Sequence, residues 1–169
     1  MAARSLGSGM EFDDIETIAV LGAGNMGHGI AEVAALAGYD VNLRDVKEEF
    51  VQSGYDDIEW SLGKLAEKEQ IPDDEADEAL DRVTPYVDVE AAVGDADFVI
   101  EAVPEQMEIK EDVYADVEEH LPDRAIIASN TSSLSITDLS EATERPEQFC
   151  GMHFFNPPVR MQLDRKSVV

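Results

Sequence analysis

The sequence predicts an α/β fold, a doubly wound and mostly parallel sheet covered by helices on both faces. Three observations predict it. Short apolar runs alternate with longer amphipathic segments along the whole chain, the pattern of strands linked by helical crossovers. The first run, Ile18 to Leu21, enters a helix through Gly22, Gly24 and Gly27. The second ends in an acid, Asp45, eighteen positions beyond Gly27.

Taken in order, the strand at 15–21 is apolar from Ile18 to Leu21, as a strand buried on both faces should be. The G-x-G-x-x-G turn follows. Gly22 permits a tight reversal, Gly24 lets backbone approach a ligand without a Cβ, and Gly27 lets the helix lie close to the strand. Ala23, Asn25 and Met26 fill the same turn. The helix at 25–37 carries Ile30, Val33, Ala34 and Ala37 on one side and stops at Gly38. Its free N–H groups and positive dipole end suit a dinucleotide pyrophosphate. The strand at 40–44 ends beside Asp45, where a carboxylate accepts from a ribose and repels a 2′-phosphate, favouring NAD over NADP. Arg44 precedes it and should point to the other side.

A helical-hairpin insertion follows this second strand, with helices at 46–70 and 74–81. Val51, Tyr55, Ile58, Leu62 and Leu65 step by four and three, forming one buried face. Ser61, Lys64 and Lys68 share another face, and two of the chain's five lysines lie there. An anionic ligand and pairing with neighbouring glutamates explain them equally well. Strands at 83–87 and 97–102 come next, then a helix at 105–120 with Met107, Val113, Val117 and Leu121 inward. Glu105 stands beyond a strand end, at the edge where this architecture binds ligands. The strand at 125–128 opens into Ser129-Asn-Thr-Ser-Ser133, and a helix at 135–140 leads to the last strand, 149–154. That strand holds His153 before an Asn-Pro-Pro turn. His28 and His120 lie on helices and read as structural. His153 differs, because neutral imidazole can take a hydroxyl proton near pH 7.

Composition narrows the partners. The 169 residues hold 38 acidic and 12 basic side chains, a formal net charge of −26, with 44% hydrophobic residues. That apolar content excludes a disordered acidic tail. So much self-repulsion is screened when the Debye length falls to about 3 Å in molar salt, which points to a salt-accumulating halophile. Nucleic acid and anionic membranes are excluded as partners on charge. No metal is expected. Cys150 is the single cysteine, there is no apolar leader and no run of membrane-spanning length, so a cytoplasmic protein is expected. Residues 1–14 read as a flexible tail, with Met10 an alternative start.

The chain resembles the N-terminal NAD-binding domain of the L-3-hydroxyacyl-CoA dehydrogenases, including the 3-hydroxybutyryl-CoA enzymes. The resemblance runs over 15–163, and four segments carry it: Gly22-Ala-Gly-Asn-Met-Gly-His-Gly-Ile30, Ile100-Glu-Ala-Val-Pro-Glu105, Ser129-Asn-Thr-Ser-Ser-Leu134 and His153-Phe-Phe-Asn-Pro-Pro158. It implies a Rossmann-type domain. It implies that His153 is the general base and that Ser132 bonds the substrate oxygen and lies near NAD. Glu105, Lys110 and Asn156 fall at NAD contacts, and Ser61, Lys68 and Ser132 at the acyl-CoA. The family carries a C-terminal helical domain that completes the cleft and makes a homodimer. This chain lacks it, so a cofactor-binding half with little turnover is expected. The family also places a Glu twelve positions after the catalytic His, where this chain has Arg165. Asp164 to Val169 match what a common sequencing-adapter string encodes, so 164–169 is expected to be a non-native tail on a truncated gene. Two other functions suit part of the pattern: a non-catalytic NAD-binding or redox-sensing module, and a dehydrogenase of a small free 3-hydroxy acid.

Overall fold

The computed structural model describes residues 11–161 and 163–168, the last five by their backbone alone. Seven strands form one sheet: β1 (Thr17–Leu21), β2 (Asp40–Arg44), β3 (Val83–Tyr86), β4 (Phe98–Glu101), β5 (Ile126–Ser129), β6 (Phe149–Phe154) and β7 (Leu163–Val168). Their spatial order is β3-β2-β1-β4-β5-β6-β7. The first six run parallel and β7 pairs antiparallel with β6. The helices are α1 (Asn25–Leu36), α2 (Glu48–Glu67), α3 (Asp73–Asp81), α4 (Val89–Val93), α5 (Met107–Glu118) and α6 (Ile136–Glu141).

Side chains alternate across each strand, so β1 feeds two cores. Ile18 and Val20 join Ile30, Leu43, Val51, Ile58 and Leu62 beneath α1 and α2. Ala19 and Leu21 join Val99, Tyr114, Val117, Ile127 and Phe149 on the other face. The chain winds outward from β1 to β3, then returns to place β4 on the other side of β1. The carboxyl ends of β1 and β4 therefore flank the crevice where the winding reverses.

All six expected strands are present. β7 was not among them: its polar sequence carries no strand pattern, yet it pairs by backbone from Cys150↔Val168 to Phe154↔Leu163, with a register shift between His153 and Phe154. The short α4 was also unexpected, since five residues show no period; Asp88 caps it by accepting from the Ala91 N–H at 2.8 Å. On α2 the buried face is Val51, Gly54, Ile58 and Leu62. Ala66 packs against that core where Leu65 was expected, because a step of four continues the stripe. Of the expected N-terminal tail, residues 1–10 lie outside the described residues, and Phe12–Asp14 form one 3-10 turn. Among the described residues no helix is long and apolar enough to cross a membrane.

Candidate functional site

One wall of the crevice is backbone. Gly22 has φ 97°, a left-handed conformation, and its N–H donates to the Arg44 carbonyl at 2.8 Å. A Cβ on Gly27 would lie 1.6 Å from the Gly22 carbonyl oxygen, so α1 can cross the turn only with glycine there. Gly24 is the N-cap of α1, makes no side-chain cap bond, and is followed by no acidic residue in the first turn. In so acidic a chain, this leaves the amide groups after Gly24, at Asn25, Met26 and Gly27, at an uncapped helix start. A Cβ on Gly24 would meet nothing within 4 Å, so the turn is open on the side a ligand would take. This cradle fits a pyrophosphate.

Asp45 stands half-buried at the end of β2. Its Oδ2 accepts from the Ala23 N–H at 2.7 Å and its Oδ1 from the Val46 N–H at 2.7 Å, so it braces the turn. Arg44 donates from Nε to the Val87 carbonyl at 3.0 Å. His28 Nδ1 lies 2.8 Å from the Gly24 carbonyl oxygen and 3.9 Å from Asp57.

The opposite wall is built of side chains. Glu101, the last residue of β4, is fully buried. Its Oε1 receives the Lys110 ammonium at 2.6 Å and the Val103 N–H at 2.9 Å; its Oε2 receives the hydroxyls of Tyr114 at 2.8 Å and Ser129 at 2.6 Å. Burial and the Glu101 charge push the Tyr114 phenol well up. Lys110 reaches Glu105 as well, at 3.5 Å. Glu105 in turn holds the 131–133 loop through one oxygen, which accepts from the Thr131 hydroxyl, from the Ser132 and Ser133 N–H groups at 3.1 and 3.2 Å, and from the Ser133 hydroxyl at 3.1 Å. Partial burial alone would raise the Glu105 pKa, but the Thr131 and Ser133 hydrogen bonds and the Lys110 charge bring it down to about 2.

Between the walls lies a cleft of about 270 Å³ whose lining includes Met26, Glu105, Lys110, Ser132, His153 and Asn156. The turn, both carboxyl-edge loops and β6 thus meet at one place. The Phe154 N–H donates to Asn130 Oδ1 at 2.8 Å, which ties β6 to the loop after β5. The Phe155 ring stands at an angle to His153, with centroids 5.9 Å apart. Across the strand pair, the residue in register with His153 is Arg165.

Ser61 and Lys68 do not line this cleft. The Ser61 hydroxyl donates to Glu32 on α1 at 2.8 Å. Burial raises the Glu32 pKa to about 7, against the lowering effect of that bond. Lys64 pairs with Glu67 at 2.6 Å, so pairing with a neighbouring glutamate holds for that lysine. Lys68 is the exposed C-cap of α2.

Sequence reasoning missed Glu101, Tyr114, Ser129, Asn130 and Glu32. A usable sign was present on α5 and just beyond it: Met107, Lys110, Tyr114, Val117 and Leu121 step by three and four, which puts two polar residues in the buried stripe.

The family model for the NAD-binding domain of 3-hydroxyacyl-CoA dehydrogenase matches residues 17–163. The chain is 45% identical over 150 residues to a fatty acid oxidation complex subunit alpha of Pseudomonas paraeruginosa, covering 89% of this chain and 21% of that protein. It is 46% identical over 144 residues to a probable 3-hydroxybutyryl-CoA dehydrogenase of Deinococcus radiodurans, covering 85% and 51%. The crystal structure of (S)-3-hydroxybutyryl-CoA dehydrogenase from Ralstonia eutropha superposes with a TM-score of 0.82 at 38% identity, over 85% of this chain and 50% of that one. The chain therefore spans between about a fifth and a half of these relatives. With the glycine cradle, the acid after β2 and the match over 17–163 all in place, the chain belongs to the 3-hydroxyacyl-CoA dehydrogenase family and forms its NAD-binding domain.

Proposed function

We propose that the chain supplies the NAD-binding half of an enzyme that oxidises an L-3-hydroxyacyl-CoA to the 3-oxoacyl-CoA, in fatty acid or short-chain acyl-CoA metabolism. The observation that carries this reading is the shared cleft, which brings His153, Ser132 and Asn156 to the helix start that would hold the pyrophosphate. NAD, when bound, supplies the acceptor for the hydride leaving the substrate's C3. His153 takes the 3-hydroxyl proton on a ring nitrogen as the carbonyl forms. Ser132 donates a hydrogen bond to the oxygen that becomes the carbonyl. The turn from Gly22 to Gly27 holds the pyrophosphate, Asp45 the adenosine ribose, and Glu105, Lys110 and Asn156 the nicotinamide end. Ser61 and Lys68 receive the coenzyme A part of the substrate. The acid-rich surface adapts the protein to concentrated KCl in a cytoplasm.

Calorimetry in concentrated KCl tests the cofactor assignment. NADH should bind more tightly than NADPH, and Asp45→Ala should narrow the difference. Equal or tighter NADPH binding in the unmutated chain would overturn it. The chemistry is tested by fusing a relative's remaining domain and assaying 3-hydroxybutyryl-CoA: turnover should appear and His153→Ala should remove it. Turnover unaffected by that substitution excludes His153 as the base. Melting followed by circular dichroism from molar to millimolar KCl tests the salt reading, which an unchanged melting temperature refutes.

A further inference from the structure

We infer that the side-chain wall carries one uncompensated negative charge, Glu101 and Glu105 against Lys110, which biases the cleft toward the oxidised, cationic form of the nicotinamide. The inference rests on the NAD reading above and adds to it a preference between redox forms.

The geometry fixes the charges. Glu101 Oε1 receives the Lys110 ammonium and the Val103 N–H, groups that can only donate, and Oε2 receives the Tyr114 and Ser129 hydroxyls, a donor set that suits a carboxylate. Glu105 is a carboxylate at neutral pH, with its pKa held near 2. Lys110, 1% exposed, stands between them at 2.6 and 3.5 Å. Two carboxylates and one ammonium leave a net charge of minus one along this wall. The base must stand beside the carbon that gives up hydride, and that carbon beside the nicotinamide. His153 shares the cleft with Lys110 and Glu105, so the nicotinamide end lies along the charged wall. NAD+ brings a positive ring there and NADH a neutral one. A buried charge several ångströms away separates the two by about tenfold in affinity. Molar salt screens the surface acids but reaches Glu101, buried under four donors, much less. If Glu101 were only a structural knot, removing it would weaken both forms alike.

The test is the ratio of NAD+ to NADH dissociation constants, measured by calorimetry in concentrated KCl. Glu101→Gln keeps the shape and removes the charge, and it should cost NAD+ about tenfold relative to NADH. Tyr114→Phe removes a neutral donor from the same carboxylate and should leave the ratio within about twofold. Should Glu101→Gln fail to fold, Glu105→Gln removes an equal charge from the half-exposed end of the same trio and should move the ratio the same way. An unmoved ratio in whichever of the two folds, or an equal shift in Tyr114→Phe, overturns the inference while leaving the NAD site standing. Wild-type protein that binds neither form overturns both.

Discussion

The two walls of the crevice are made from different materials. Between β1 and α1 the wall is main chain, and its shape depends on atoms that are missing: a Cβ on Gly22 would meet the Ala102 carbonyl oxygen at 2.6 Å, and one on Gly27 would strike Gly22 itself. Beyond β4 and β5 the wall is a chain of side chains, running from Ser129 and Tyr114 through Glu101 and Lys110 to Glu105 and the 131–133 loop. A main-chain wall has no tolerance, because the clashing atom is backbone and cannot rotate away. A side-chain wall can yield by degrees and responds to charge and pH. The contrast teaches that one crevice can combine a rigid main-chain wall with a tunable side-chain one.

Gly27→Ala strikes the main-chain wall at its tightest point. It should weaken NADH binding by at least about 100-fold or prevent folding, since the added carbon overlaps an atom of the turn. Fluorescence titration with circular dichroism as a folding control reads this, and binding within threefold of wild type would show that the turn yields after all. Gly54→Ala reaches the same turn from outside. A Cβ there would lie 2.6 Å from the Ala23 carbonyl oxygen, whereas one on Gly63 of the same helix meets nothing within 4 Å. Both substitutions raise helix propensity, yet only Gly54→Ala should loosen NADH binding, by about tenfold. Equal affinities for the two variants would remove α2 from any role in supporting the turn.

A further effect is on stability alone, at a side-chain contact away from both walls. Glu32 has a folded pKa of about 7 against an ordinary 4.5, so the folded state holds its proton more tightly than the unfolded chain does. Its contribution to stability is present below about pH 4.5 and is lost as pH rises through about 7. Glu32→Gln should therefore raise the melting temperature by about 5 °C at pH 8, on the order of 2 kcal/mol, and the gain should vanish toward pH 4.5. A gain that does not vary with pH would mean that Glu32 is not a buried, shifted carboxyl.

How much of this was legible follows the same division. The main-chain wall can be read from sequence because steric exclusion dictates glycine at fixed offsets, and Asp45 follows at a distance set by one βαβ unit. Glu105 could be placed at the carboxyl edge from the strand pattern, whereas Lys110 came only through family resemblance. Their partners Glu101, Tyr114 and Ser129 were not read, because a carboxylate at a strand end is ambiguous until the fold brings β5 and α5 to it. The Ser61–Glu32 bond was hidden for the same reason, since it joins two helices that sequence cannot bring together. β7 was hidden for another. Edge pairing uses backbone groups that almost any sequence offers, so Asp164-Arg-Lys-Ser-Val168 shows no alternation to find.

Gly29, in the first helix, faces Pro158 just beyond the sixth strand, and a Cβ there would lie 2.8 Å from the proline ring. Phe154 is buried in the same core as Ile30. The helix that starts at the glycine turn is thus seated on residues far along the chain from it, Phe154 and Pro158. Contacts so distant in sequence form late, because the loop they close must first be brought together. During synthesis or refolding, the β1–β2 unit can form early and still lack the surface that holds α1 in place. Competence to bind NADH should then arrive with the docking of β6, which makes the cofactor a reporter of completed assembly.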